Sequence, residues 1–171
     1  MRAVKLGAPG GLDRLQLVEI GEPEAPAAGE IRVRLRACSL NYHDVFTRIG
    51  MPGIKVPLPL IIGIDVAGEI AEIGAEVSGF RAGDRVLVDP IERVKGGLMG
   101  EAFDGGLAEF VRVPAHMLIK LDDAVGFADA AALPVAYGTA FRMMIERGKI
   151  RAGETVLILG ASGGGGTCCV Q

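Results

Sequence analysis

The chain has no tryptophan, only 2 histidines and only 3 cysteines among its 171 residues, and aromatic side chains make up 5% of it. An odd cysteine count with two members adjacent, Cys168 and Cys169, is no disulfide framework and fits a reducing compartment. A chain of this length buries about 70% of its unfolded surface, so it needs neither cross-links nor a metal staple to fold. Charge of one sign is also scarce: 18 Lys+Arg stand against 21 Asp+Glu, for a formal net charge of −3. No basic stripe marks a nucleic-acid-binding face. The 50% hydrophobic content excludes disorder. The densest apolar stretch, residues 56–64, is interrupted by Pro57, Pro59 and Gly63 and falls far short of a membrane span. Residues 1–7 hold no apolar region of signal-peptide length. The expectation is a soluble cytoplasmic protein with a small-molecule substrate and no nucleic-acid or membrane partner.

What the chain does have is 26 glycines, placed between short apolar runs. Residues 31–37 alternate with period two, setting Ile31, Val33, Leu35 and Ala37 on one face and Arg32, Arg34 and Arg36 on the other. That pattern predicts a strand with one solvated, charged face. Further strands are expected over 66–73, 85–88, 107–113 and 117–121, separated by glycine turns. Many short strands at this spacing predict a partly open, barrel-like β domain. After Leu121 the texture changes. Alanine-rich residues 127–133 predict a helix that Pro134 ends or kinks. A second helix is expected over 135–147, with Gly148 as its stop. An apolar strand is expected over 155–159, followed at once by Gly160-Ala161-Ser162-Gly163-Gly164-Gly165-Gly166. Strand, glycine loop and helix in that order open an α/β unit.

A dinucleotide-binding loop needs small residues at its tight turn, where backbone approaches the pyrophosphate, and where helix meets strand. Ala161, Gly163 and Gly166 have that one-three-six spacing. With Gly164 they are the candidate cofactor-binding residues of the loop. Amides at the start of the following helix would meet the phosphates.

Together these segments resemble the N-terminal part of the medium-chain dehydrogenase/reductase superfamily, which holds zinc alcohol dehydrogenases and zinc-free quinone reductases. The resemblance rests on Ala37-Cys38-Ser39-Leu40-Asn41-Tyr42-His43-Asp44, Gly63-Ile64-Asp65-Val66-Ala67-Gly68, Gly79-Phe80-Arg81-Ala82-Gly83-Asp84, Asp104-Gly105-Gly106, Ala130-Ala131-Ala132-Leu133-Pro134, Tyr137-Gly138-Thr139-Ala140 and the glycine loop. It implies a GroES-like, partly open β-barrel domain at 1–122, followed at 123–171 by linker helices and the first strand and glycine loop of a truncated Rossmann domain.

A catalytic zinc wants three protein ligands and an open position. The places of the family's zinc ligands hold Asn41, Ile64 and, for the third, the vicinity of Ala131, none of which is a zinc donor. The stretch matching the family's structural-zinc lobe, residues 92–106, holds no cysteine. Cys38, His43, Asp65 and His116 match no ligand spacing. No zinc is expected. The resemblance then implies NADP(H)-dependent hydride transfer to a quinone, enone or carbonyl compound, with NAD possible, and a homo-oligomer at full length.

The candidate catalytic residues are Asn41, His43 and Asp65. Asn41 matches a polar residue near nicotinamide and substrate, where an amide can meet developing charge on a carbonyl. His43 is open to two readings, a proton donor to product or a polar cap on a loop. Asp65 is read chiefly as support for the cleft. Tyr42, Phe46 and Met51 are expected to line the substrate side, and Asn41 and Thr139 to touch cofactor. His116, Cys168 and Cys169 read as structural. The 171 residues are expected to be inactive alone. Two alternatives stand beside this reading: a zinc-dependent alcohol dehydrogenase, and a non-catalytic GroES-like binding module.

Overall fold

In the computed structural model, which describes residues 1–171, apolar alternation and glycine turns produce eight strands and four α-helices. They run β1 (Arg2–Leu6), β2 (Leu15–Glu19), β3 (Glu30–Ser39), α1 (Tyr42–Ile49), β4 (Leu60–Ile61), β5 (Asp65–Ile73), β6 (Arg85–Val88), β7 (Phe110–Pro114), β8 (Leu118–Lys120), α2 (Phe127–Ala131), α3 (Pro134–Phe141) and α4 (Gly164–Val170). The strands form an antiparallel five-stranded sheet, ordered β7-β3-β5-β6-β8, and a three-stranded sheet, β2-β1-β4. Neither closes into a barrel. The mainly β body with helices after it is the expected fold class.

The long strand β3 shows how the sequence builds the core. Ile31 and Val33 are fully buried, packing with Val66, Ile70, Val86, Val88, Val111 and Val113. The opposite face carries Arg32, which pairs with Glu72 at 2.7 Å, and Arg36, which pairs with Glu69 at 2.7 Å. Arg34 and Arg36 are exposed, in agreement with the solvated reading, whereas Arg32 is half-buried with an Nε that has no partner. Between Leu35 and Ala37 the register against β5 shifts, leaving Arg36 as an extra residue. The bulge reverses the alternation. Leu35 packs on the main core, whereas Ala37 joins Ala67, Leu87, Ala130 and Ala131 in a second cluster beneath α2. Cys38 returns to the main core. Ser39 is thereby paired with Asp65.

Several elements depart from expectation. Strand β7 begins only at Phe110, and a 3₁₀ turn at Ala115–Met117 shortens β8. Pro134 takes the first turn of α3, where its missing N–H costs nothing. The helix passes into a π-helix at Arg142–Arg147. Gly148 stays right-handed at φ −72°, and the left-handed turn falls on Lys149 at φ 52°. Residues 155–159 form no strand, contrary to expectation. A strand exists through its ladder of hydrogen bonds, and no segment of the chain pairs with these residues.

Candidate active site

Helix α1 places three of the candidate residues. Asn41 caps it in extended conformation, and Gly50 ends it in the left-handed region at φ 81°. The Asn41 N–H donates to the Asp44 carboxylate at 2.7 Å, the reciprocal half of a capping box. Asp44 and Thr47 face inward and are buried. Tyr42 and Phe46 form a tilted ring pair with centroids 5.7 Å apart. Tyr42, at 78% exposure, and Met51, at 43%, lie open to solvent.

Asp65, 1% exposed, is the centre of the polar arrangement. Its carboxylate accepts from the Asn41 side-chain amide at 3.0 Å, from the Ser39 hydroxyl at 3.4 Å and from the Val135 N–H at 3.1 Å. One side chain thus ties β3, the start of α1 and the first turn of α3 together. It also fixes the Asn41 amide, committing one N–H and leaving the other for a ligand. Burial above all, with the nearby Asp44 charge, pushes the Asp65 carboxyl up, against the Asn41, Val135 and Ser39 hydrogen bonds. Asp44 is likewise raised, chiefly by burial. Burial first, then the charges of Asp44 and Asp65, pushes the Cys38 thiol up to about 12. A thiol so held is a poor nucleophile.

A cavity of about 440 Å³ opens between the β body and α3. His43, Thr139, Val135 and Pro134 face it, across from Leu87, Pro90, Ile91, Leu98 and Ile119. His43 and Thr139, far apart in sequence, are therefore brought to one space. Asn41, Asp65, Tyr42, Phe46 and Met51 are not among its lining residues, although Val135, whose N–H Asp65 accepts, is. The His43 Nε2 is 2.5 Å from Glu101 Oε2. His116 forms a similar pair with buried Glu92 at 2.8 Å, away from the cavity, in keeping with its structural reading. Sequence reasoning missed Glu101, Ser39 and the Val135 N–H. No spacing signals contacts across 58, 26 or 70 residues.

The glycine loop leads into α4, which packs against α3, with the Tyr137 hydroxyl donating to the Gln171 side-chain oxygen at 2.5 Å. Gly160 is left-handed at φ 73°, and a Cβ on Gly166 would fall 2.3 Å from the Gly160 carbonyl. Gly166 is thus the point where α4 packs on the loop. Gly163 caps α4, and Gly164 has open space around it. Ala161 accepts the Thr167 hydroxyl through its carbonyl at 3.1 Å. The small residues fit backbone approach by a pyrophosphate, although the supporting strand is not formed.

The donor chemistry does not fit a catalytic zinc. At the places of the family's ligands, Asn41 binds Asp65, while Ile64 and Ala131 are buried alkyl groups. No three His, Cys, Asp or Glu side chains converge to hold a metal ion.

Residues 27–123 match the family model of the alcohol dehydrogenase GroES-like domain. Among curated proteins, the chain is 34% identical over its whole length to quinone oxidoreductase of Lama guanicoe, covering 48% of that protein. It is also 34% identical to the mouse synaptic vesicle membrane protein VAT-1 homolog-like, covering 38%. The chain therefore spans less than half the length of either relative. Among solved structures, an NAD-dependent alcohol dehydrogenase aligns with TM-score 0.91 at 34% identity, over 99% of this chain and 54% of that one. A cobalt- and zinc-bound thermostable alcohol dehydrogenase from Pyrobaculum aerophilum aligns with TM-score 0.89 at 32% identity, over 99% and 55%. A solved relative thus binds zinc, and fold alone does not decide the metal. No helix of the chain is long and apolar enough to cross a membrane. With the family model covering more than half its residues, the chain belongs to the medium-chain dehydrogenase/reductase superfamily, through its alcohol dehydrogenase GroES-like domain.

Proposed function

We propose that the chain is the substrate-binding part of an NADP(H)-dependent oxidoreductase that reduces a quinone, enone or carbonyl compound without zinc. The observation that carries this reading is the cavity shared by His43 and Thr139, whose opposite wall sets Leu87, Ile91, Leu98 and Ile119 beside Asp89 and Arg93. A bound nicotinamide would supply the hydride. The chain's own residues would do the rest. Thr139, Ala161, Gly163, Gly164 and Gly166 would hold the dinucleotide, and Asp65 would fix the Asn41 amide. The free N–H of Asn41 would bind an oxygen on which charge develops, and His43 would move the proton. A conjugated, electron-poor acceptor needs no Lewis acid, in keeping with the absence of zinc donors at Asn41, Ile64 and Ala131. The preference for NADP(H) over NAD(H) follows the likeness to quinone oxidoreductases. The protein is further proposed to be cytoplasmic and, at full length, a homo-oligomer.

The test is NADPH oxidation by the whole protein with a quinone and with an enone, with and without a chelator. Turnover unaffected by the chelator is expected, and slower turnover with NADH. Stoichiometric, tightly bound zinc on metal analysis would overturn zinc independence. Absence of turnover with both acceptor classes would favour a binding module. The 171 residues alone are expected to show no appreciable activity, because positioning between two domains supplies much of the rate.

A further inference from the structure

We infer that Glu101 is a positioning residue for His43, holding its imidazole through Nε2 so that Nδ1 is the nitrogen that exchanges a proton in the cavity. This rests on the reading of His43 as the proton-moving group.

Both partners stand on fixed backbone. His43 is in the first turn of α1, held by the Asn41–Asp44 cap. Glu101 sits at the tip of a tight turn, with its own N–H and that of Ala102 donating to the Leu98 carbonyl at 3.1 and 2.8 Å. The Gly100 N–H donates to the Phe103 carbonyl at 2.9 Å, and Met99 is wholly buried beneath. Glycines jam this turn against the segment before β5. A Cβ on Gly100 would lie 2.7 Å from the Gly63 carbonyl oxygen, and one on Gly105 only 2.3 Å from it. The Glu101 carboxyl is therefore delivered to His43 by packed backbone rather than by a free loop. The two side chains are 22% and 33% exposed, so the pair is partly shielded while His43 still faces the cavity. Its Nδ1 has no hydrogen-bond partner in the chain.

The consequence is chemical. A carboxylate accepts only, so Nε2 must carry hydrogen, and a neutral imidazole has one N–H. Nδ1 is then bare in the neutral ring and protonated in the charged one. In reduction, for which a bound nicotinamide would supply the hydride, the charged His43 would give its Nδ1 proton to the anion left on the acceptor and remain as a neutral Nε2–H imidazole. In oxidation the bare Nδ1 takes the proton. Second partners that fix a tautomer in this way are a general device of working histidines.

Ring-¹⁵N-labelled histidine in the 171-residue chain gives two signal sets, His43 and His116. At alkaline pH, His43 is expected to show an unprotonated Nδ1 and a protonated Nε2. Glu101→Ala should move both toward averaged values, and Glu101→Gln should restore the pattern, because its amide oxygen accepts the same bond. His116, held by Glu92, should not change. A protonated Nδ1 in the parent chain, or unchanged His43 signals in Glu101→Ala, would overturn the assignment. Should Glu101→Ala fail to fold, the parent and Glu101→Gln spectra still decide. In the whole protein, His43→Phe should lower turnover about 10²-fold or more. Full activity there would defeat the proton role while the tautomer result stood, so the two failures are distinguishable.

Discussion

At the residue scale, the buried carboxylates divide into two groups with opposite pH dependence. Asp44 and Asp65 have raised folded-state values, chiefly through burial. For them the folded chain holds protons more tightly than the unfolded one. Their contribution to stability is complete below the unfolded value of about 4 and is lost as pH rises through the raised value. Glu92 has the reverse sign. The Val94 N–H first, and the His116 ring and Lys95 N–H after it, lower its carboxyl. Its contribution is present above about 4.3 and is lost as pH falls. Asp65→Asn is therefore expected to flatten the decline in stability between pH 4 and neutrality, read from urea midpoints at stepped pH. An unchanged slope would remove Asp65 from the account. The polar residues were readable only in part. Asp65 stands out beside glycine, but its grip on Val135 depends on α3 arriving from 70 residues away.

At the scale of elements, the alternating face of β3 was plain from Ile31 and Val33, and the bulge after Leu35 was not. No glycine or proline marks Arg36, and the shift arises from pairing with β5. Helix α1 went unread although Asn41, Asp44 and Gly50 mark both ends. Tyr42, Val45, Phe46 and Thr47 have low helix propensity, and packing of Asp44 and Thr47 against the body overrides it. Residues 155–159 mislead in the other direction, because β composition without a neighbour makes no ladder. The glycine loop allows a matched comparison. Gly166→Ala would set a Cβ 2.3 Å from the Gly160 carbonyl, whereas Gly164 has nothing within 4 Å. Gly166→Ala is expected to loosen α4, with faster amide exchange. Gly164→Ala should leave it unchanged or firmer by up to about 1 kcal/mol. Equal exchange in the two variants would contradict the packing role of Gly166.

At the scale of the whole molecule, the two ends of the chain differ in what they cover. The strands bury a continuous aliphatic core, while the second part leaves apolar side chains in water. Leu157 is 83% and Leu159 84% exposed, with Phe141 and Val170 also open. Unpaired apolar backbone of this kind invites association. The 171-residue chain is expected to self-associate with rising concentration in light scattering, and the pair Leu157→Glu with Leu159→Glu should suppress it. A monodisperse monomer at high concentration would refute this. The bulge in β3 has a consequence at the same scale. Strand β3 changes phase at Arg36, so one strand serves two interiors, and its last residue reaches Asp65 only after the change. Closing the bulge with Arg36 kept would pair Arg36 with Ala67 and bring Cys38 instead of Ser39 opposite Asp65, whereas removing Arg36 would leave Ser39 where it is. The link between core and site thus depends on which residue is left unpaired more than on its type, and it should tolerate exchange of Arg36 for another side chain.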